Sequence, residues 1–430
     1  MPGLAVGPLR QIYANPARDT IYIAGIISMT GVQNAWQQTN SILRYTNGQW
    51  DTLGVINGQV RTVVQYRDTL LAGGEYFISC SGEPCSQVAY WNGTAWRPYG
   101  EFGTYGVHKL RVLDNELYAV GGFHEVDGQP ATGVAKRVGS TWQPIGQFDL
   151  QGSIKDIAKH NGKLIVIGNV DFPNGRGIAQ WDGSTWSVLG PGLIHLMSGA
   201  LCLAVYQGDL YVGGKIRIAL PGNPGQNIMR WDGEQFHAVG QGVQQWLGNT
   251  SATATVADMV EHDGKLFVGG GFRAAGGVEA MGLAVWDGVE WCGVPGDFQA
   301  TGGIWSMDFY HDTLFVACGT TLDGNAVNGS VKFIGSQYEN ECSGPVDMRE
   351  QAEASPILYP NPATDQVTLL GAQRYAQFEL LDAHGRLLHQ DLVPEGGACT
   401  LPIAWFAPGA YAVRLVHPAQ PPLILKLIKR

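Results

Sequence analysis

The chain has 430 residues, including 60 glycines, 16 tyrosines and 13 tryptophans, and only 15% of it is charged. That length exceeds one ordinary core, and a glycine- and aromatic-rich, charge-poor composition points to an all-β protein, because tight turns use glycine and pleated faces favour aromatics. The formal net charge of −10 argues against nucleic acid as a partner, and no apolar run reaches the roughly 18 residues of a membrane-spanning helix.

In chain order, residues 1–30 show no basic region followed by an apolar one, so no signal peptide is read there. Repeats begin near Leu9. One anchor is an aromatic, a short polar turn and a second aromatic five positions on: Tyr45/Trp50, Trp91/Trp96, Trp181/Trp186, Trp231/Phe236, Trp286/Trp291 and Phe333/Tyr338, with Arg137/Trp142 losing the first ring. A second anchor precedes each, an apolar strand ending in small residues: Ile21–Gly25, Leu70–Gly74, Leu117–Gly122, Leu164–Gly168, Leu210–Gly214, Leu266–Gly270 and Leu314–Gly319. Tight polar turns such as Asn161-Gly162 and Asp263-Gly264 stand before it, with another apolar strand before those. Each unit therefore predicts strand, tight turn, strand, long loop, strand, Asn/Asp-Gly turn, strand. Paired aromatics should face each other across the last hairpin. A lone four-stranded sheet cannot bury both faces, whereas seven around an axis can, which predicts a seven-bladed β-propeller over residues 1–343. Where the first and last units meet, the pattern leaves the ring closed by packing alone unless residues 1–8 add a strand.

The unit resembles the kelch and galactose-oxidase-type propellers, whose glycine pair after the second strand is matched by Gly73-Gly74, Gly121-Gly122, Gly213-Gly214 and Gly269-Gly270. The resemblance implies a fold and is nearly silent on function.

Cys80 and Cys85, in Cys-Ser-Gly-Glu-Pro-Cys, could form a local disulfide or remain free thiols; Cys292 and Cys342 could also pair. Cys202, Cys318 and Cys399 lie in apolar runs and read as small buried hydrophobes.

Residues 344–357 read as a linker, and residues 358–430 as a small Ig-like β-sandwich with strands at Val367–Leu370, Phe378–Leu381, Tyr411–Val416 and Leu423–Ile428. This segment resembles the C-terminal sorting domain of the bacterial type IX secretion system. The resemblance rests on Tyr359-Pro360-Asn361-Pro362, on Asp382-Ala-His-Gly385-Arg386, on Pro408-Gly409-Ala-Tyr411 and on the basic last strand around Lys426. It implies engagement with that secretion machinery and a protein secreted from, or held on the outer surface of, a Gram-negative bacterium. The natural chain is then expected to begin earlier than Met1.

The loops between second and third strands, and those between repeats, are long and varied, so a ligand site is expected on that face. Trp36, His124, Trp246 and Trp305 lie there as candidate ligand-binding residues, since an indole face stacks on a sugar ring while nearby amides bond its hydroxyls. Asp171, Glu125, Asp127, Asp297 and Asp323 are the carboxylates from which a glycoside-cleaving pair could assemble. No zinc motif, serine-nucleophile elbow or cofactor motif occurs, so no catalytic residue, metal or cofactor is assigned. Three readings stay open: a secreted or surface binding propeller for an extracellular glycan or protein, which is favoured; a polysaccharide-acting enzyme; and a structural or adhesive module.

Overall fold

The computed structural model describes residues 4–29, 42–103, 105–172, 175–217, 226–245, 254–294, 296–298, 303–319, 321–322, 325–326, 330–333, 356–359, 361–370, 372, 375–393, 399–417 and 422–430. Two compact units divide the chain, Met1–Cys342 and Ser343–Arg430.

The first unit is all-β and propeller-like. Its opening sheet pairs Leu4–Asn15, Thr20–Met29, Leu43–Thr46 and Gln49–Thr52 in chain order, each strand antiparallel to the next. Further meander sheets follow, led by Ile56–Tyr66, Val107–Leu113, Asp149–His160, Ile194–Tyr206, Thr255–His262 and Ser306–Tyr310. The last of these has three strands among the described residues. The tight turns are set by residues that accept positive φ at both central positions, such as Asn161 (48°) and Gly162 (76°), or Asp263 (49°) and Gly264 (71°). That is the twist a two-residue hairpin needs.

The paired aromatics do face each other. Tyr45 pairs with Trp50, Trp91 with Trp96, Trp181 with Trp186, Trp231 with Phe236 and Trp286 with Trp291, at ring separations of 4.8–5.4 Å. Where Arg137 replaces the first ring, its guanidinium lies 4.3 Å from the Tyr99 ring and 5.7 Å from that of Trp142. A cation over aromatic faces thus takes the place of ring on ring. The fourth-strand indoles also tie each sheet to the one before. Trp142 donates its Nε1–H to the Tyr99 carbonyl at 2.7 Å, Trp186 to Ile145 at 2.7 Å and Trp291 to Val239 at 2.9 Å, and Trp96 bonds Leu53 likewise.

The recurring glycine at the end of the second strand has a steric cause. Opposite it the first strand carries a bulge in each of the first six sheets, at Arg10, Arg61, His108, Lys155, Leu201 and Ala257. The extra residue pushes a first-strand carbonyl over the glycine. A Cβ at Gly74 would sit 2.0 Å from the Gln59 oxygen, and one at Gly270 2.0 Å from that of Thr255. No other residue fits, so the second-strand glycine and the first-strand bulge are one feature.

Each first strand is the inner edge of its sheet, and an edge strand leaves backbone N–H groups without ladder partners. Neighbouring first strands lie side by side and the last meets the first, which closes a circle. Side chains satisfy several of the edge amides. Val63 N–H donates to Gln11 Oε1 (2.7 Å), Leu110 to Thr62 Oγ1 (3.1 Å), Leu203 to Asp156 Oδ2 (3.0 Å) and Met307 to Asp258 Oδ2 (2.9 Å). At the seam Ile12 donates to Ser306 Oγ (3.1 Å) and Ala14 to Asp308 Oδ2 (2.7 Å). Leu9, Ile12 and Ile21 pack there with Phe315 and Ala317. The ring is therefore joined by packing and side-chain bonds, with Leu4–Asn15 supplying the innermost strand of the first sheet.

The second unit has two antiparallel sheets. Ile357–Tyr359, Gln366–Leu370 and Cys399–Pro402 form one; Leu387–Leu392, Gln377–Leu381, Gly409–Val416 and Leu423–Lys429 form the other. They share one core that includes Val367, Leu369 and Leu401 from the first and Phe378, Leu380, Val413 and Leu427 from the second.

Cys80 and Cys85 are joined by a disulfide, Cα atoms 5.3 Å apart. Cys292 is also disulfide-bonded, and its expected partner Cys342 lies outside the described residues. Cys202 and Cys318 are buried free thiols, while Cys399 is free and half-buried.

Candidate functional site

The circle of first strands surrounds a cavity on the ring axis. Its mouth, about 240 Å³, is lined by the bulge residues Arg10, Arg61, His108, Lys155, Leu201 and Ala257, by Trp305 at the equivalent place in the last sheet, and by Lys109, Cys202, Asp258 and Ser306. A bulge re-aims a side chain, and here one per strand is turned to a common point. The first strands begin at this end, which is the rim of the long connections. A second cavity of about 420 Å³ shares Lys109, Asp258 and Ser306 with the mouth and reaches Tyr13 and Asp308 further along the strands.

The mouth is cationic in a protein of net charge −10. Glu75, on the second strand of the second sheet, is its paired carboxylate: Arg61 donates to Oε2 at 2.7 Å and His108 Nε2 lies 2.5 Å from Oε1. Lys155 Nζ lies 3.2 Å from His108 Nδ1. With Lys155 protonated, His108 is neutral, accepting at Nδ1 and donating from Nε2. Burial lowers the His108 pKa, and Lys155 and Arg61 add to that against the pull of Glu75. Burial works against ionised Glu75, but its bonds to His108 and Arg61 outweigh this and bring it to about 2. Burial, then repulsion from Arg61, brings Lys155 down to about 8. Arg10 is lowered by the same two causes, and the Nε atoms of Arg10 and Arg61 are buried without an acceptor. Asp258 adds a second carboxylate to the wall, its oxygens accepting the Met259 and Met307 amides at 3.0 and 2.9 Å.

Of the aromatic and histidine candidates, Trp305 lies at this mouth, its residue surface 44% exposed. His124 is exposed on a different loop, its ring 5.9 Å from that of Tyr105. Trp36 and Trp246 lie outside the described residues, as does Asp323. Asp127 is consumed by structure, Oδ1 accepting Glu101 N–H at 2.7 Å and Oδ2 accepting Trp142 N–H at 2.6 Å. Asp171 lies 3.7 Å from Arg176, Glu125 is exposed on the ribbon after His124, and Asp297 is half-buried. None of these four described carboxylates lines the axial mouth. Among the described residues no cluster of three His, Cys, Asp or Glu could hold a metal, and no helix is long and apolar enough to cross a membrane.

The basic side chains at the axis are not evident in the sequence because they are spread one per repeat. The signal is the position directly after a buried apolar residue in the first strand: Leu9-Arg10, Val60-Arg61, Val107-His108 and Ile154-Lys155.

In the second unit the sequence motifs prove to be hydrogen-bonding devices. Asn361 donates from Nδ2 to the Lys426 carbonyl at 2.6 Å and accepts Ile428 N–H at 2.9 Å, which ties the Tyr359–Pro362 motif to the basic last strand. Asn361-Pro362 is a cis peptide, Tyr359 ends the strand that pairs with Gln366–Leu370, and Pro360 lies outside the described residues. Asp382 Oδ1 accepts the amides of His384 and Arg386, both at 2.9 Å, while Gly385 takes φ 80°. Tyr411 donates to the Ala407 carbonyl at 2.7 Å, across the Pro408-Gly409 turn.

Residues 357–430 match the family of the secretion system C-terminal sorting domain. That tail marks the chain for the type IX secretion machinery, and so for release from the cell or attachment to its outer surface. No curated protein sequence matches the chain. Among solved structures, PorZ of Porphyromonas gingivalis, a surface component of the type IX secretion system, is similar at 13% identity and TM-score 0.39, over 99% of this chain and 66% of that one. The extracellular domain of the hybrid two-component system BT4673 of B. thetaiotaomicron gives 11% and 0.46 over 98% and 56%. The β-propeller domain of Myceliophthora thermophila Cps50 (Swd1) gives 11% and 0.42 over 76% and 96%. The chain thus spans less than two thirds of the length of the first two.

Proposed function

We propose that this chain is a binding protein of the cell exterior, a seven-bladed, kelch-like β-propeller followed by an Ig-like sorting domain, and that it engages an extracellular glycan at the axial mouth. The observation that carries this reading is the convergence of bulge side chains on one cavity beside the half-exposed Trp305. An accessible indole next to fixed polar groups suits the apolar face and hydroxyls of a sugar.

The full chain is to be incubated with a panel of soluble and insoluble polysaccharides, scoring protein bound and sugar ends released. Binding without release, weakened at least tenfold in Trp305→Ala, is expected. Release of sugar ends would replace this reading with an enzyme and send the search to the loop carboxylates. Binding lost in Trp36→Ala or Trp246→Ala but not in Trp305→Ala would move the site away from the axis.

A further inference from the structure

We infer that the axial mouth is an anion site, taking a carboxylate or sulfate group of an acidic saccharide among Arg10, Arg61 and Lys155 beside Trp305. This rests on the binding-propeller reading and adds the ligand's charge.

The charges on this cavity do not balance. Arg10, Arg61, Lys109 and Lys155 line one cavity, four cations against two carboxylates, Glu75 behind them and Asp258 on the wall. Like charges held together out of water are costly unless an opposite charge joins them. The protein forgoes the two usual remedies. No second carboxylate is paired with the group among the described residues, and the side chains are not splayed to solvent but aimed inward by bulges that recur at the same place in successive sheets. Guanidinium and ammonium donors around one point match the oxygens of a carboxylate or sulfate. Trp305 at the same mouth supplies a flat apolar face, which places the anion on a ring-bearing ligand.

The titrating member is Lys155. It faces His108 at 3.2 Å and feels Arg61 and Glu75, with Arg10, Lys109 and Asp258 on the same cavity wall and Asp156 next on its own strand. Its pKa of about 8 means that raising pH from 7 to 9.5 removes its charge while the arginines keep theirs.

The test is calorimetric titration of the full chain with a galacturonate hexamer, with the same hexamer methyl-esterified and so neutral, and with a carrageenan hexamer, whose only charge is sulfate. At least one charged hexamer is expected to bind and the ester to bind at least about tenfold more weakly, the scale of one charge-assisted hydrogen bond. Whether the galacturonate, the sulfated hexamer or both bind identifies the anion. Arg10→Gln and Lys155→Met should each weaken binding about tenfold. Neither should lower the melting temperature, since each relieves repulsion. Lys155→Arg should keep the affinity and abolish its fall between pH 7 and 9.5. Equal binding of the ester, or unchanged binding by folded Arg10→Gln and Lys155→Met, overturns the anion site while leaving a glycan-binding propeller. Failure of all three hexamers overturns it too, and the propeller reading falls with it only if the polysaccharide panel also shows no binding.

Discussion

The hydroxyl of Ser306 accepts the backbone N–H of Ile12 at 3.1 Å, across 294 residues of chain. The bond is buried and lies at the seam where the last sheet meets the first. Asp308 repeats the contact two residues on, accepting Ala14 N–H at 2.7 Å. Among the described residues no strand is exchanged between those sheets, and these bonds and the apolar packing around Phe315 join them.

Ser306→Ala should therefore leave the Ile12 amide unpaired and destabilise the first unit by about 1–3 kcal/mol, as for other orphaned buried donors. Urea unfolding followed by tryptophan fluorescence would measure it. Asp68→Asn, which removes an ion pair from Arg18 to a fully exposed carboxylate, should leave the same curve unchanged.

Asp308 also sets a pH dependence. Burial, outweighing the amides it accepts, raises its pKa from 3.8 to about 6. Between those values the folded chain holds a proton the unfolded chain has lost, so the stability from this group is present below about 4 and is lost as pH rises through 6. The change is at most about 3 kcal/mol. Asp308→Asn stays neutral, so its stability relative to the parent should improve as pH goes from 4 to 6. Parallel stability curves for the two proteins over that range would refute the assignment.

Gly270 and Gly264 separate steric from conformational demand. A Cβ at Gly270 meets the Thr255 oxygen at 2.0 Å, whereas Gly264, at φ 71°, has nothing within 4 Å. Gly270→Ala should cost about 3 kcal/mol or prevent folding, and Gly264→Ala about 1 kcal/mol, the cost of left-handed backbone alone. Thermal melts of the two variants would show the difference.

The tail predicts an export phenotype. Behind an added signal peptide, the full chain should reach the medium or the outer surface of a cell that has type IX secretion, and removing residues 357–430 should leave the protein inside it. Asn361→Ala removes both bonds to the last strand and should loosen the tail by about 1–2 kcal/mol, with a partial export defect. Fractionation and immunoblotting distinguish the three proteins.

What was legible in the sequence is what local chemistry decides. Asn161-Gly162 and Asp263-Gly264 make hairpin turns because their backbones accept positive φ, and Trp181 must face Trp186 once the turn between them is set. Asp382 closes its turn on amides two and four residues away, so the sorting motif could be read from spacing. The recurring glycine was visible too, but not its cause, because the carbonyl that excludes a Cβ belongs to another strand.

The axial mouth was decided by tertiary structure alone. Arg10, Arg61, His108 and Lys155 are separated by about one repeat each, and nothing local tells that a bulge turns each of them inward. These side chains meet only when the strands form a circle, and the circle closes where Ser306, Asp308 and the packing around Phe315 meet Ile12 and Ala14 at the far end of the chain. Turn chemistry acts over a few residues and can be read along the chain; charge convergence acts through space and depends on closure.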